Sequence, residues 1–191
     1  MIVPVLFVAA ACGGGGSGDD VEIVDSPSAN CTAPESFGAV TPAMQGAISM
    51  TTPPATTPDF FQMEVALDGA TPPDVMLIQL YKGFGVFATD FPTTFPATIP
   101  LTGDEAQFAS CGACILVLGD IGSDGMATGD PYLATGGTLT LTSISPMLTG
   151  TISNIELTRV TIDDQDTSAP SPDGCTSSVD SMSFTATPDP Q

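Results

Sequence analysis

Gly137-Thr138-Leu139-Thr140-Leu141-Thr142-Ser143 is the stretch that decides the fold class. Its threonines fall on one face of an extended chain and its leucines on the other, as a strand with one buried face requires. Short runs of similar kind flank it on both sides, at residues 45–51, 60–67, 75–81, 85–89, 106–109, 113–118, 149–154, 156–162 and 178–185. Turn formers separate them: Thr52-Pro53-Pro54, Asp68-Gly69, Thr71-Pro72-Pro73, Gly136-Gly137, Ser145-Pro146 and Ala169-Pro170. This spacing predicts an all-β domain, an antiparallel β-sandwich of about eight to ten strands. No stretch carries a capped helical stripe, and no period of solenoid or propeller length recurs.

Within the strands the apolar pattern says more. Residues 75–80 and 115–118 are apolar on both faces, which predicts central strands covered on both sides. From Thr149 onward the apolar parity shifts twice: Ile152 is even, Ile155 and Leu157 are odd, and Val160 and Ile162 are even again. Two bulges would restore the register. Residues 90–100 hold Pro92, Pro96 and Pro100, and proline cannot donate to a ladder, so an extended crossover or edge segment is expected there.

Composition bounds the partners. The chain has 191 residues, a net charge of −20 and two cations, Lys82 and Arg159. So acidic a surface opposes nucleic acid, whose phosphates must be neutralised, and direct docking on anionic lipid head groups. With 42% apolar residues, the chain escapes the composition of disorder and can build a core. The acidity then reads as a device that keeps a surface of small residues soluble.

The N-terminus reads as an address. An apolar run, Ile2-Val3-Pro4-Val5-Leu6-Phe7-Val8, meets Ala9-Ala10-Ala11, then Cys12, then Gly13-Gly14-Gly15-Gly16-Ser17-Gly18. The run is too short to cross a bilayer, which takes about 20 residues, but it fits a signal peptide ending in small residues. The order resembles the signal peptide, lipobox and tether of bacterial lipoproteins. That resemblance implies cleavage before Cys12, acylation of Cys12 and anchoring in the membrane through its lipid chains. The pattern departs from the family in Ala9, where leucine is usual, and in the absence of a basic residue before Cys12, which points to a start upstream of Met1. An ordinary secretory signal cleaved after Ala11 is the alternative, giving a secreted or periplasmic protein. The organisation expected is a signal peptide over 1–11, a lipidated cysteine and flexible tether over 12–30, and one β-domain over 31–191.

Four further cysteines remain: Cys31, Cys111, Cys114 and Cys175. An even count in an exported chain argues for two disulfides. Three pairings are open; we favour Cys111–Cys114 as a local loop and Cys31–Cys175 tying the ends of the domain. Cys111-Gly112-Ala113-Cys114 has the spacing of a redox dithiol, but it runs straight into an apolar strand instead of a helix N-terminus, where a low thiol pKa is made.

The chain has no histidine and no tryptophan. Histidine-dependent hydrolase triads and histidine-ligated zinc are therefore excluded. Glu64, Glu105 and Glu156 stand in or beside strands, yet nothing in the sequence sets two carboxylates across from each other as glycoside hydrolysis needs. A non-enzymatic protein is expected. Two acidic clusters are the candidates for bound chemistry. Asp120, Asp124 and Asp130 surround Gly122 and Gly125 in the manner of a calcium loop, although Gly122 and Pro131 replace ligands that an EF-hand would supply. Asp163, Asp164 and Asp166 form the second cluster. Calcium would relieve the repulsion among these carboxylates; the plainer reading is that Asp and Gly make good turns.

The lipobox-like start, combined with Cys111-Gly112-Ala113-Cys114-Ile115-Leu116-Val117, the run from Tyr132 to Thr140, the run from Leu148 to Asn154 and Gly174-Cys175, resembles secreted lipoproteins of myxobacteria and related predatory or social bacteria. The resemblance covers residues 111–187 and implies a cysteine-stapled β-domain, with no activity to carry over. Gly13 after the lipid cysteine implies sorting to the outer membrane. The expected function is a binding or structural role at the cell envelope, with a calcium-dependent glycan- or surface-binding module as the alternative. No nucleic acid partner is expected.

Overall fold

A computed structural model describes residues 31–122 and 125–191. The all-β expectation holds. Among these residues run eleven strands: β1 (Ala39–Val40), β2 (Gln45–Met50), β3 (Phe60–Ala66), β4 (Val75–Tyr81), β5 (Ala97–Pro100), β6 (Ala113–Leu118), β7 (Tyr132–Ser143), β8 (Leu148–Ile162), β9 (Ser168–Pro170), β10 (Thr176–Ala186) and β11 (Pro188–Pro190). Hydrogen bonding links them along one path, β1-β10-β8-β7-β6-β4-β3-β2-β11, with β5 branching from β7 and β9 from β8. The division into two stacked sheets expected from the sequence is not seen in the pairing. Nor is the sheet purely antiparallel, since β1 lies parallel to β10 and β11 parallel to β2.

The sheet curls until its path meets itself. Only Thr187 separates β10, which pairs with β8, from β11, which pairs with β2. The Thr185 N–H also donates to Gln45 Oε1 on β2 at 2.9 Å. Curling of this kind needs local bends, and three neighbouring strands bend in one row. On β7 the inward residues change from Tyr132 and Ala134 to Leu139 and Leu141 across Gly136-Gly137. On β8 they change from Ile152 to Ile155 across Asn154, and on β10 from Val179 to Met182 across Asp180. Asn154 sits at φ +50° and Gly137 at φ +99°. A side chain at Gly137 would run into the Asn154 carbonyl, so this bulge demands glycine both for its dihedral and for close approach.

The first parity shift read from the sequence is therefore a bulge, at Asn154, which joins two expected strands into one long β8. The second is not a bulge. Leu157 points into the main interior, while Val160 and Ile162 face the other side of the same strand, where a second apolar cluster receives them.

That second cluster explains the doubly apolar strands. Met76, Ile78 and Leu80 of β4 and Ile115 and Val117 of β6 fill the interior. Val75, Leu77, Cys114 and Leu116 face outward and are covered with Cys111, Phe108, Ile121 and Ala127 from the loops. The loop that carries Phe108 is tied to β9, where the Phe108 N–H donates to Ser168 Oγ at 3.1 Å.

Two expected strands are turns. Residues 85–89 form a short 3₁₀ turn (Gly85–Phe87), because Gly85 stands at φ +41° and Phe87 folds inward onto Phe91. Residues 106–109 follow a second 3₁₀ turn (Gly103–Ala106), in which Glu105 is pulled inward. The proline-rich segment supplies β5, an edge strand on β7 as its prolines require.

Candidate functional site

Both acidic clusters stand at the same end of the curled sheet, because β6 and β8 flank β7 and end beside its first residues. Asp120 holds its turn through its backbone and Asp163 through its side chain. Asp120 adopts φ +49°; its N–H donates to Asp74 Oδ1 at 2.8 Å and its carbonyl accepts from the Thr128 hydroxyl at 3.3 Å. Asp74, not singled out from the sequence, is buried at 2% exposure, and Asp68 Oδ1 accepts its N–H at 3.2 Å. Asp163 Oδ1 accepts the N–H groups of Gln165 at 2.9 Å and Thr167 at 2.8 Å, closing the β8–β9 turn. Asp166 takes φ +60° in that turn. Burial first, and the negative charge of Asp166 second, push the Tyr81 phenol up to about 12. Asp164 is exposed and Asp130 half-buried, while Asp124 lies outside the described residues. Among the described residues, no three acidic or sulfur side chains gather into a group able to hold a metal.

The cysteines pair as favoured. Cys31 joins Cys175 with a Cα–Cα separation of 5.6 Å, and Cys111 joins Cys114 at 5.4 Å. Cys111 and Cys114 are 2% and 0% exposed. A dithiol that exchanges with a partner must be reachable by its sulfur, so burial makes this bond a staple for the outer cluster. Cys31–Cys175 fixes the N-terminal segment across one end of the interior, where the Thr32 and Ala33 N–H groups donate to the Tyr132 hydroxyl at 3.2 and 3.3 Å. Cys12 lies outside the described residues.

Glu105, read from the sequence only as one of three glutamates in or beside strands, is the acidic group with the most consequential surroundings. It is 5% exposed, and its two oxygens accept from different parts of the chain: Oε1 from the Val86 N–H at 2.6 Å, Oε2 from the Ala113 N–H at 2.5 Å. Gly85 packs so closely that a Cβ there would overlap Oε1. Glu105 also lines an open cleft of about 320 Å³ with Val86, Ile99, Thr102 and Asp104. The sequence signal was Gly103-Asp104-Glu105, a turn-forming run directly before a segment apolar enough to read as a strand.

The remaining charged groups are spread apart. Glu64 lies on β3 and Glu156 on β8, with β4, β6 and β7 between them in the sheet. Glu64 accepts from Gln62 Nε2 at 2.8 Å, Gln62 accepts from Gln79 Nε2 at 2.8 Å, and burial raises the Glu64 carboxyl above its ordinary value despite the Gln62 hydrogen bond. The two cations are paired: Arg159 Nη1 with Asp173 Oδ2, and Lys82 Nζ with Asp90 Oδ1, each at 3.0 Å. No protein-family model matches the chain, and neither a curated protein nor a solved structure does.

Proposed function

We propose that this chain is a lipid-anchored protein of the bacterial envelope, held through Cys12, whose domain binds or builds at the cell surface without catalysing a reaction. The address rests on the run Ala9-Ala10-Ala11-Cys12 followed by glycine. One observation supports the non-catalytic part: among the described residues, the most chemically capable groups named above are engaged in holding the fold. Glu105 anchors two backbone segments, Asp163 closes a turn, Arg159 and Lys82 are paired, and the Cys111–Cys114 sulfurs are bonded and buried. Catalytic groups, by contrast, need lone pairs or protons directed at a substrate. The test is mass spectrometry of the mature N-terminus from a fractionated envelope. A diacylglyceryl-modified Cys12 in the membrane fraction is the expected result; a free, unmodified thiol at Cys12 in the soluble fraction overturns the proposal.

A further inference from the structure

The strands at which the path and its branches end are short and lie at or near a proline. The path ends in β1, two residues followed by Thr41-Pro42, and in β11, which is Pro188-Asp189-Pro190. The branch strands are β5, four residues ending in Pro100, and β9, three residues ending in Pro170. A proline has no N–H to give a new strand, and short edges offer few places to pair. β2 differs: its six residues, Gln45-Gly46-Ala47-Ile48-Ser49-Met50, contain neither proline nor charge.

β2 does not become an edge because the C-terminus covers it. Pro188, Asp189 and Pro190 pair with Ala47, Ile48 and Ser49, and the Gln191 N–H donates to the Ser49 carbonyl at 2.9 Å. We propose that the C-terminal segment Pro188–Gln191 is an edge guard that holds the protein monomeric, denying β2 to a second copy of this chain. The occupant follows from charge and symmetry. A chain of net charge −20 repels its own copies, but β2 brings no charge to the contact, and two identical edges can pair about a two-fold axis. The guard is short, three paired residues, and the N–H groups of alternate residues face β2, as that of Gln191 does, so the prolines at 188 and 190 cost the pairing no donor. Its prolines give it a second duty, since they leave its own outer edge unable to complete a ladder.

Light scattering coupled to size exclusion, over a hundredfold range of concentration, tests this on three chains. The intact chain is expected to stay monomeric. A chain ending at Thr187 is expected to double in mass as concentration rises, with hydrogen exchange of the residue 46–50 amides slowing in the dimer. The full-length Pro188→Val/Pro190→Val chain keeps the cover but gives its outer edge two donors, and it too should associate. An intact chain that dimerises overturns the proposal. So does a truncated chain that keeps its far-ultraviolet circular dichroism and cooperative melt yet stays monomeric. Should truncation unfold the chain, the valine variant decides, and a monomeric valine variant refutes the guard.

Discussion

Replacing Glu105 separates a carboxylate that holds the fold from one that merely lines a cleft. Its oxygens accept from the Val86 and Ala113 N–H groups at 2.6 and 2.5 Å. Ala113 is 0% exposed, whereas Val86 is 50% exposed. In Glu105→Ala the Ala113 N–H is stranded away from water, at a cost of about 1–3 kcal/mol, while Val86 can rehydrate and loses closer to about 1 kcal/mol. The expected destabilisation is about 2–4 kcal/mol, or roughly 2–4 °C in melting temperature per kcal/mol for a chain of this size. Glu105→Gln is the sharper variant. An amide offers one acceptor oxygen, so its NH₂ must face either Val86 N–H or Ala113 N–H, donor against donor. Glutamine should therefore cost nearly as much as alanine, although it preserves shape and removes the buried charge. Urea denaturation under oxidising conditions measures both through the midpoint at constant slope. If Glu105→Gln fell within about 0.5 kcal/mol of the native chain, the two-acceptor account of this site would be wrong.

Other expectations follow from the same geometry. Removing Cys31–Cys175, which spans 144 residues, should cost up to about 5 kcal/mol in the chain-entropy picture, against about 2 kcal/mol for Cys111–Cys114, which spans 3; paired serine variants compared by thermal melting reverse that order only if the picture fails. Burial lifts the Glu64 carboxyl above the ordinary 4.5. Native protein then holds the proton more firmly than unfolded chain, so stability falls as pH rises from the ordinary value through the raised one. Glu64→Gln should accordingly be more stable than the native chain at neutral pH, and the gain should vanish below pH 4; a gain that persists in acid would dissociate it from titration. Asp163→Ala should lose about 1 kcal/mol by opening the β8–β9 turn, equally in calcium and in chelator, and a calcium-dependent difference in melting temperature would reassign the turn to metal binding.

How much of this was legible in the sequence varies with the range of the interactions involved. Strands β3, β4 and β6 could be read closely because their pattern is local: alternation or continuous apolarity over six or seven residues dictates extended backbone wherever the segment lands. The bulge at Asn154 was also legible, since Ile152 and Ile155 cannot both face inward without one. The shift at Val160 misled because parity reports only that a residue is buried, not on which side. Val160 and Ile162 are covered by Phe108 and Ile121 from distant loops, and nothing near them in the chain announces that cover.

Residues 85–89 and 106–109 failed as strands for a related reason. Their apolar residues satisfy a strand pattern, but Glu105 binds the backbone of one segment to the start of β6 and bends both into turns. A carboxylate that accepts from residues 19 positions before it and 8 after it becomes visible only once the chain is folded. The acidic clusters show the opposite balance. Asp163 capping its own turn is a local hydrogen bond, open to prediction from composition, whereas the use of Asp74 to hold Asp120 across 46 residues is not.

By itself, then, the sequence determined the β class, the principal strands, an even set of cysteines able to staple the domain, and the exclusion of histidine chemistry, because each of these depends on residue type and short spacing. Tertiary structure decided that the strands form one curled sheet, that Cys31 finds Cys175, that Glu105 ties two turns to the wall, and that the last residues cover β2. The physical reason is that closure, disulfide partnering and edge coverage depend on which distant segments meet. Pairing between remote residues is selected by packing and hydrogen bonding of the whole fold, not by the propensity of either partner.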